Sequence, residues 1–143
     1  MITLARAKPK ESQAIRRLEQ RVWRASNITS PYDIAFYVRF GYAWIARDAQ
    51  RLIGAIVALK TRNDEVKIVD WVVEPKYRRR GIGERLYRAL ERASRGLPII
   101  ALVKETNRPS LRAHQKLGFK PVRAIRDPFA LGSKKRWWLM RKN

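Results

Sequence analysis

Val73-Glu74-Pro75-Lys76-Tyr77-Arg78-Arg79-Arg80-Gly81-Ile82-Gly83 is the stretch on which the reading of this chain turns. Upstream of it, Val66 to Val73 is a largely apolar run of strand length. Downstream, Ile82, Leu86, Ala89, Leu90 and Ala93 recur at helical spacing, while Arg85, Arg88, Arg92 and Arg95 take the opposite face. A strand ends, a basic glycine-containing turn follows, and an amphipathic helix starts at once. Free backbone N–H groups at a helix N-terminus bind phosphate, glycines leave room for the anion, and adjacent arginines add charge. The turn reads as a pyrophosphate cradle. It is not a Walker loop, since no Gly-Lys-Ser/Thr follows, nor the dinucleotide G-x-G-x-x-G. The competing account is an ordinary basic strand-to-helix turn.

Toward the N-terminus, Ile2 and Leu4 alternate with Thr3 and Ala5 as an edge strand. Pro9 marks the entry to a helix in which Ile15, Leu18 and Val22 share a face, running to about Arg24. Ser30-Pro31 is an N-cap and first-turn pair for a second helix, with Ile34, Tyr37 and Val38 on one side and its end near Gly41. Tyr42 to Ala46 and Leu52 to Leu59 are strands flanking the polar Asp48 to Arg51, and a turn at Arg62 to Asp64 leads into Val66 to Val73. Toward the C-terminus, Gly96 ends the long helix, and Ile99 to Val103 is the continuous apolar run of a strand buried on both faces. Asn107 and Gly118 cap a helix over Arg108 to Leu117. Phe119 to Ile125 and Lys135 to Met140 close the chain as a strand pair around an irregular loop. This order predicts one domain with a mixed α/β sheet.

At 143 residues, 45% of them apolar, the chain can build one core, and no apolar run approaches the ~20 residues of a membrane span. Met1 to Lys10 lacks the apolar block of a secretory signal, an expectation of cytoplasmic location. The absence of cysteine excludes disulfides, thiolate ligands and a cysteine nucleophile, and the single histidine, His114, excludes any metal site needing two. The formal charge of +21, from 33 Lys and Arg against 12 Asp and Glu, disfavours polyamines and aminoglycosides as substrates and favours neutral or acidic partners. A general solubility device explains the same charge.

A second motif follows the first: Asn107-Arg108-Pro109-Ser110-Leu111-Arg112-Ala113-His114-Gln115-Lys116-Leu117-Gly118-Phe119. It resembles the N-x-x-S/A-x-x-x-Y-x-K-x-G-F helix of the GNAT acetyltransferases. Arg78-x-x-Gly81-x-Gly83, preceded by Val73-x-Pro75, resembles that family's R/Q-x-x-G-x-G/A signature. With the element order, the resemblance covers Ile2 to Met140. It implies the GNAT fold, a mixed, mostly antiparallel sheet with a splayed central parallel strand pair and about four helices. It also implies acetyl-CoA as co-substrate, wedged between the ends of Val66 to Val73 and Ile99 to Val103. Backbone groups of Trp71, Val72 and Val73 would bind the pantetheine arm, with the Val73 N–H polarising the thioester oxygen. Arg78, Arg79, Arg80, Gly81, Ile82 and Gly83 would hold the pyrophosphate, with Asn107 completing the cofactor set. The implied reaction is acetyl transfer to a primary amine by direct attack in a ternary complex, and homodimers are frequent in the family.

His114 stands where the family usually has a tyrosine that protonates the leaving thiolate, and histidine can do that work near neutrality; the alternative is a packing histidine beside Leu117. The acceptor amine needs a base. Where several relatives place glutamates, this chain has Lys67 and Leu102. Asp70 is the candidate substitute, a carboxylate interrupting the apolar face of Val66, Ile68 and Val72, or else a satisfied structural aspartate; Glu105 is a weaker candidate. Trp23, Tyr32, Tyr37 and Phe129 read as an aromatic acceptor lining or as core. Lys134 to Lys142 mixes cations with Trp137 and Trp138, a nucleic-acid surface or a solvated final strand. The second functional reading is a catalytically silent domain that binds nucleic acid or the ribosome through its charge.

Overall fold

Strand β4 (Val66–Val73) is the axis around which the molecule is arranged. The computed structural model describes residues 1–23 and 29–143. Around β4 the order is β1 (Ile2–Arg6), α1 (Ser12–Trp23), α2 (Pro31–Phe40), β2 (Tyr42–Asp48), β3 (Arg51–Lys60), then β4 itself, α3 (Ile82–Ala93), β5 (Ile99–Lys104), α4 (Arg108–Lys116), β6 (Lys120–Arg126) and β7 (Arg136–Lys142). The seven strands lie in the order β1-β2-β3-β4-β5-β7-β6, and only β4 and β5 run parallel. This is the GNAT fold expected from the sequence. The expected continuation of α1 to Arg24 lies outside the described residues.

Local chemistry sets the helix boundaries. Pro9 opens a short 3-10 turn ahead of α1, and the Ser30 hydroxyl accepts from the Asp33 N–H at 3.1 Å ahead of Pro31, the preset φ that starts α2. At the other end of α2 the chain turns against β3. A Cβ on Gly41 would sit 2.4 Å from the Ala58 carbonyl oxygen and 2.8 Å from that of Tyr37, so only glycine fits. Tyr87, which helical spacing alone does not mark as core, is fully buried in α3 beside Leu86 and Leu90.

Helices α1 and α2 cover one side of β1 to β4, where Ile15, Leu18, Ile34 and Val38 meet Val57 and Val72. Helix α3 covers the other side, where Ile82, Leu86 and Leu90 meet Ile56, Val66 and Ile68. Strand β4 serves both cores by alternation, and a slip in its register decides which residues face which: Asp70 faces Val57 and Ile68 faces Ala58, leaving Val69 as the extra residue of a β-bulge. Simple alternation puts Asp70 in one row with Val66, Ile68 and Val72. The bulge breaks that row, sending Val66 and Ile68 toward α3 while Asp70 and Val72 turn toward α1 and α2.

Among the described residues no helix is long and apolar enough to cross a membrane. Gly41→Ala should cost on the order of 1–3 kcal/mol, the range for overpacking, and lower the urea midpoint at unchanged slope. A wild-type midpoint would show that the α2–β3 corner yields easily.

Candidate functional site

The parallel pair β4 and β5 is joined only at Val66↔Ile99 and Lys67↔Ile100, and beyond Lys67 the strands part. In an antiparallel pair, backbone groups of alternate residues point toward and away from the partner. The Glu74 N–H donates to the Ile53 carbonyl at 2.8 Å, so Val72, two residues earlier, also turns its backbone to β3. The backbone groups of Trp71 and Val73 therefore face the gap. Of the three residues whose backbone the sequence pointed to, Trp71 and Val73 turn theirs to the gap, and Val72 lines the same space with its backbone turned to β3.

The gap opens into a cavity of about 760 Å³. Its lining includes Trp71, Val72, Val73, Arg78, Arg79, Gly81, Ile82, Gly83, Asn107 and His114, bringing together nearly every residue the sequence pointed to. The turn before α3 is shaped by Arg79 at φ 65° and Gly81 at φ 74°. A Cβ on Gly81 would meet nothing within 4 Å, so the position opens onto free space at the N-terminus of α3. Arg78 Nε donates to the Val73 carbonyl at 3.1 Å and ties the turn to the strand end. Trp71 Nε1 donates to the Gly83 carbonyl at 3.1 Å and makes a second tie. Arg80 is the exception: it does not line the cavity, and its guanidinium lies 5.3 Å from the Tyr77 ring centroid. The Tyr77 hydroxyl in turn donates to Asp48 at 2.7 Å.

Asn107 accepts from the Ser110 N–H at 3.3 Å, so its side-chain oxygen caps α4. Pro109, Ala113 and Lys116, at i, i+4 and i+7 of α4, present a face of the helix to the cavity. Lys116 is the lysine of the second motif, a position the sequence reading gave no role, and its spacing from Pro109 and Ala113 brings it to the same cavity. His114 is buried, and its ring packs edge-on against Trp71 and Phe119, each 5.2 Å away between centroids. Its Nδ1 lies 2.7 Å from the Ser110 carbonyl oxygen, which fixes the tautomer as Nδ1–H donating to that oxygen. Nε2 then carries the lone pair and has no hydrogen-bond partner among the described residues. Burial pushes the imidazole below its ordinary pKa of 6.5, partly opposed by the Ser110 carbonyl.

Asp70 does not line this cavity. It lies on the α1/α2 side of β4, where its Oδ2 accepts from the Thr29 hydroxyl at 2.8 Å. Lys67 is half-buried, its Nζ donates to the Ile68 carbonyl at 3.0 Å, and burial lowers its pKa against the opposing pull of Asp70. Glu105 is clasped by Arg136 at 2.7 and 3.0 Å and is not a free base. The aromatics read as acceptor lining or as core divide: Trp23 lines the cavity, Tyr37 packs edge-on to Phe36, Phe129 packs edge-on to Trp137, and Tyr32 is 87% exposed. Among the described residues no group of three or more His, Cys, Asp or Glu could hold a metal.

The model of the acetyltransferase (GNAT) family matches residues 12–119. The chain belongs to the GNAT family. No curated protein matches this GNAT chain by sequence. Its fold matches Arabidopsis thaliana NAA60 in complex with acetyl-CoA, with a TM-score of 0.84, 18% identity and 99% of each chain covered. It also matches the ribosomal-protein-S18-alanine N-acetyltransferase from Escherichia coli, with a TM-score of 0.82, 19% identity, and 99% of this chain and 92% of that one covered. Arabidopsis thaliana Naa50 in complex with the bisubstrate analogue CoA-Ac-MVNAL gives 0.82 and 18%, covering 99% and 98%. At these identities the likeness is one of fold. Acetyl-CoA is the co-substrate, as the family and its acetyl-CoA-bound structures indicate.

The Gly81 position separates strain from charge. Gly81→Ala should weaken acetyl-CoA binding by ~30-fold at most, through the ~1–2 kcal/mol of a left-handed non-glycine residue. Gly81→Glu should abolish binding by placing a carboxylate where phosphate approaches. Equal affinities of the two variants in titration calorimetry would move the phosphate elsewhere.

Proposed function

We propose that this GNAT protein acetylates a primary amine by direct attack in a ternary complex, the amine being borne at the end of a polypeptide. The observation that carries the reading is the gap beside β4, where Trp71 and Val73 present backbone groups next to the glycine turn of α3. The polypeptide acceptor takes its support from the bisubstrate analogue held by Naa50. Acetyl-CoA supplies the acetyl group as a thioester; the amide C–N bond forms as the C–S bond breaks.

The protein's own groups divide the work. The backbone of Trp71 and Val73 holds the pantetheine arm, and the Val73 N–H polarises the thioester oxygen. Arg78, Arg79 and the free N–H groups near Gly81 to Gly83 bind the pyrophosphate. Asp70 takes the first proton from the acceptor ammonium, leaving the neutral amine that attacks. His114 Nε2 takes the second proton from the attacking nitrogen and hands it to the departing sulfur. The product is the amide, free CoA thiol and one proton released from Asp70 to solvent. The tautomer thus makes His114 a proton shuttle, since Nε2 must receive a proton before it can donate one.

His114→Phe should lower kcat by ~10²-fold, the low end for acid-base catalysis, with unchanged acetyl-CoA affinity. The lowered pKa sets the sign of the pH profile. The neutral ring is the active form, so wild-type activity should fall only below pH 6.5, and that limb should vanish in the variant. Wild-type turnover in His114→Phe would return the residue to the core.

A second reading, a polyanionic partner such as nucleic acid, is favoured by one groove. Lys104, Lys134, Lys135 and Arg136 line it, and the neighbouring Lys135 ammonium lowers the pKa of Lys104. Two ammonium groups press together there, and the nearby carboxylate, Glu105, is already paired with Arg136. A phosphate is the natural counterion. Replacing Lys104 and Lys135 by Gln should make the log-log salt slope of RNA binding shallower by roughly 0.7 for each phosphate no longer neutralised. An unchanged slope would make the groove a bystander.

A further inference from the structure

Glu19 lies on α1 with no exposed surface, in a protein whose other carboxylates mostly have a cation within reach. Its Oε2 lies 3.1 Å from the Thr29 hydroxyl, and the same hydroxyl reaches Asp70 Oδ2 at 2.8 Å. A hydroxyl has one hydrogen to give. It cannot donate to both carboxylates, so one of them must carry a proton and donate back. Glu19 is the more deeply buried member, and its Oε1 has no hydrogen-bond donor among the described residues. Oε1 is left without a donor in either form, and an unpaired neutral carbonyl oxygen is far cheaper to bury than an unpaired carboxylate. Burial first, and then the neighbouring Asp70, push Glu19 up to about 9, against the smaller opposing pull of the Thr29 hydroxyl and backbone N–H. Among the described residues, the other ionisable groups that act on Asp70 from neighbouring positions are Lys67 from β4 and Tyr37 from α2, the latter raised by burial and by the charges of Asp33 and Asp70. β3 offers only apolar side chains there, Ala55 and Val57.

We propose that Glu19 is a positioning residue for amine deprotonation: as a carboxylic acid it donates to the Thr29 hydroxyl, Thr29 donates to Asp70, and the chain holds Asp70 as a single fixed anion. The inference rests on the reading of Asp70 as the group that receives the acceptor's first proton. The directions of the hydrogen bonds matter. Thr29 spends its one hydrogen on Asp70, so Asp70 Oδ2 is occupied and Oδ1 is the oxygen left to take the proton. Removal of the Glu19 proton would place two anions side by side, turn the Thr29 hydroxyl and loosen Asp70. The chain therefore works below the pH at which Glu19 ionises and fails above it.

The test is the pH dependence of kcat/KM for a peptide acceptor, compared for wild type, Glu19→Gln, Glu19→Ala, Thr29→Val and Asp70→Asn. Circular dichroism and acetyl-CoA affinity verify that each variant is folded. Wild type should lose activity in the alkaline range near pH 9. Glu19→Gln keeps a donor of the same shape and cannot ionise, so it should stay within about threefold of wild type at pH 7 and show no alkaline loss. Glu19→Ala and Thr29→Val should each lower kcat by ~10-fold with little change in acetyl-CoA affinity. A wild-type alkaline limb in Glu19→Gln, or wild-type turnover in Glu19→Ala, overturns the role of Glu19. If Asp70→Asn loses activity while the Glu19 and Thr29 variants do not, the chain is wrong and the base is right. Wild-type turnover in Asp70→Asn would instead remove the base and the chain with it.

Discussion

The unequal partnership of β4 governs the rest of the structure. On one side it is paired with β3 along almost its whole length; on the other it keeps β5 for only two residues. A strand paired on both edges has no backbone groups to spare, and a strand with a free edge exposes a row of them. Here the free edge is short, lies inside the protein, and ends at the turn that starts α3. A cavity lined by unpaired peptide groups and a helix N-terminus is the outcome, before any side-chain chemistry is considered.

Much of this was legible in the sequence because it depended on local patterns. The glycine turn, the caps at Ser30 and Asn107 and the helical spacing of α3 all act within a few residues, and the structure places them as the pattern predicts. The β-bulge at Val69 was not legible. Nothing in Val66-Lys67-Ile68-Val69-Asp70 marks an extra residue, since the bulge is decided by pairing with Val57 and Ala58 on another strand. Strict alternation consequently assigns Asp70 to an apolar row that it does not share. Glu19 was hidden for the same reason: a lone glutamate in a helix rich in arginine looks like a solvated charge until the partner strand is in place.

Charge is distributed with the same division. Glu74 is held by Arg51 and Arg21, Glu91 by Arg88 and Lys142, Glu65 by Arg141, and Glu105 by Arg136. The Arg51 guanidinium, more than the other cations, holds Glu74 below the usual carboxylate range. With so many carboxylates neutralised at home, the surplus of cations has only the surface to occupy, where its field attracts anions and repels cations. The buried pair of Glu19 and Asp70 is the counterexample: among the described residues neither carboxyl forms an ion pair, and Lys67 acts on Asp70 only through its field.

The bulge also bears on how such a protein can change over time. Beyond it, ordinary alternation gives the strand two duties: the backbone and side chains of Trp71 and Val73 belong to the gap and the α3 side, while the side chains of Asp70 and Val72 belong to the layer of α1 and α2. Neighbours along the chain are thereby uncoupled in selection. On the proposed role of Asp70 at the acceptor amine, substitutions in α1, α2 and the inward face of β4 alter that side while leaving the backbone of Trp71 and Val73 as it was. A lineage can therefore change one side of the strand one residue at a time without disturbing the other.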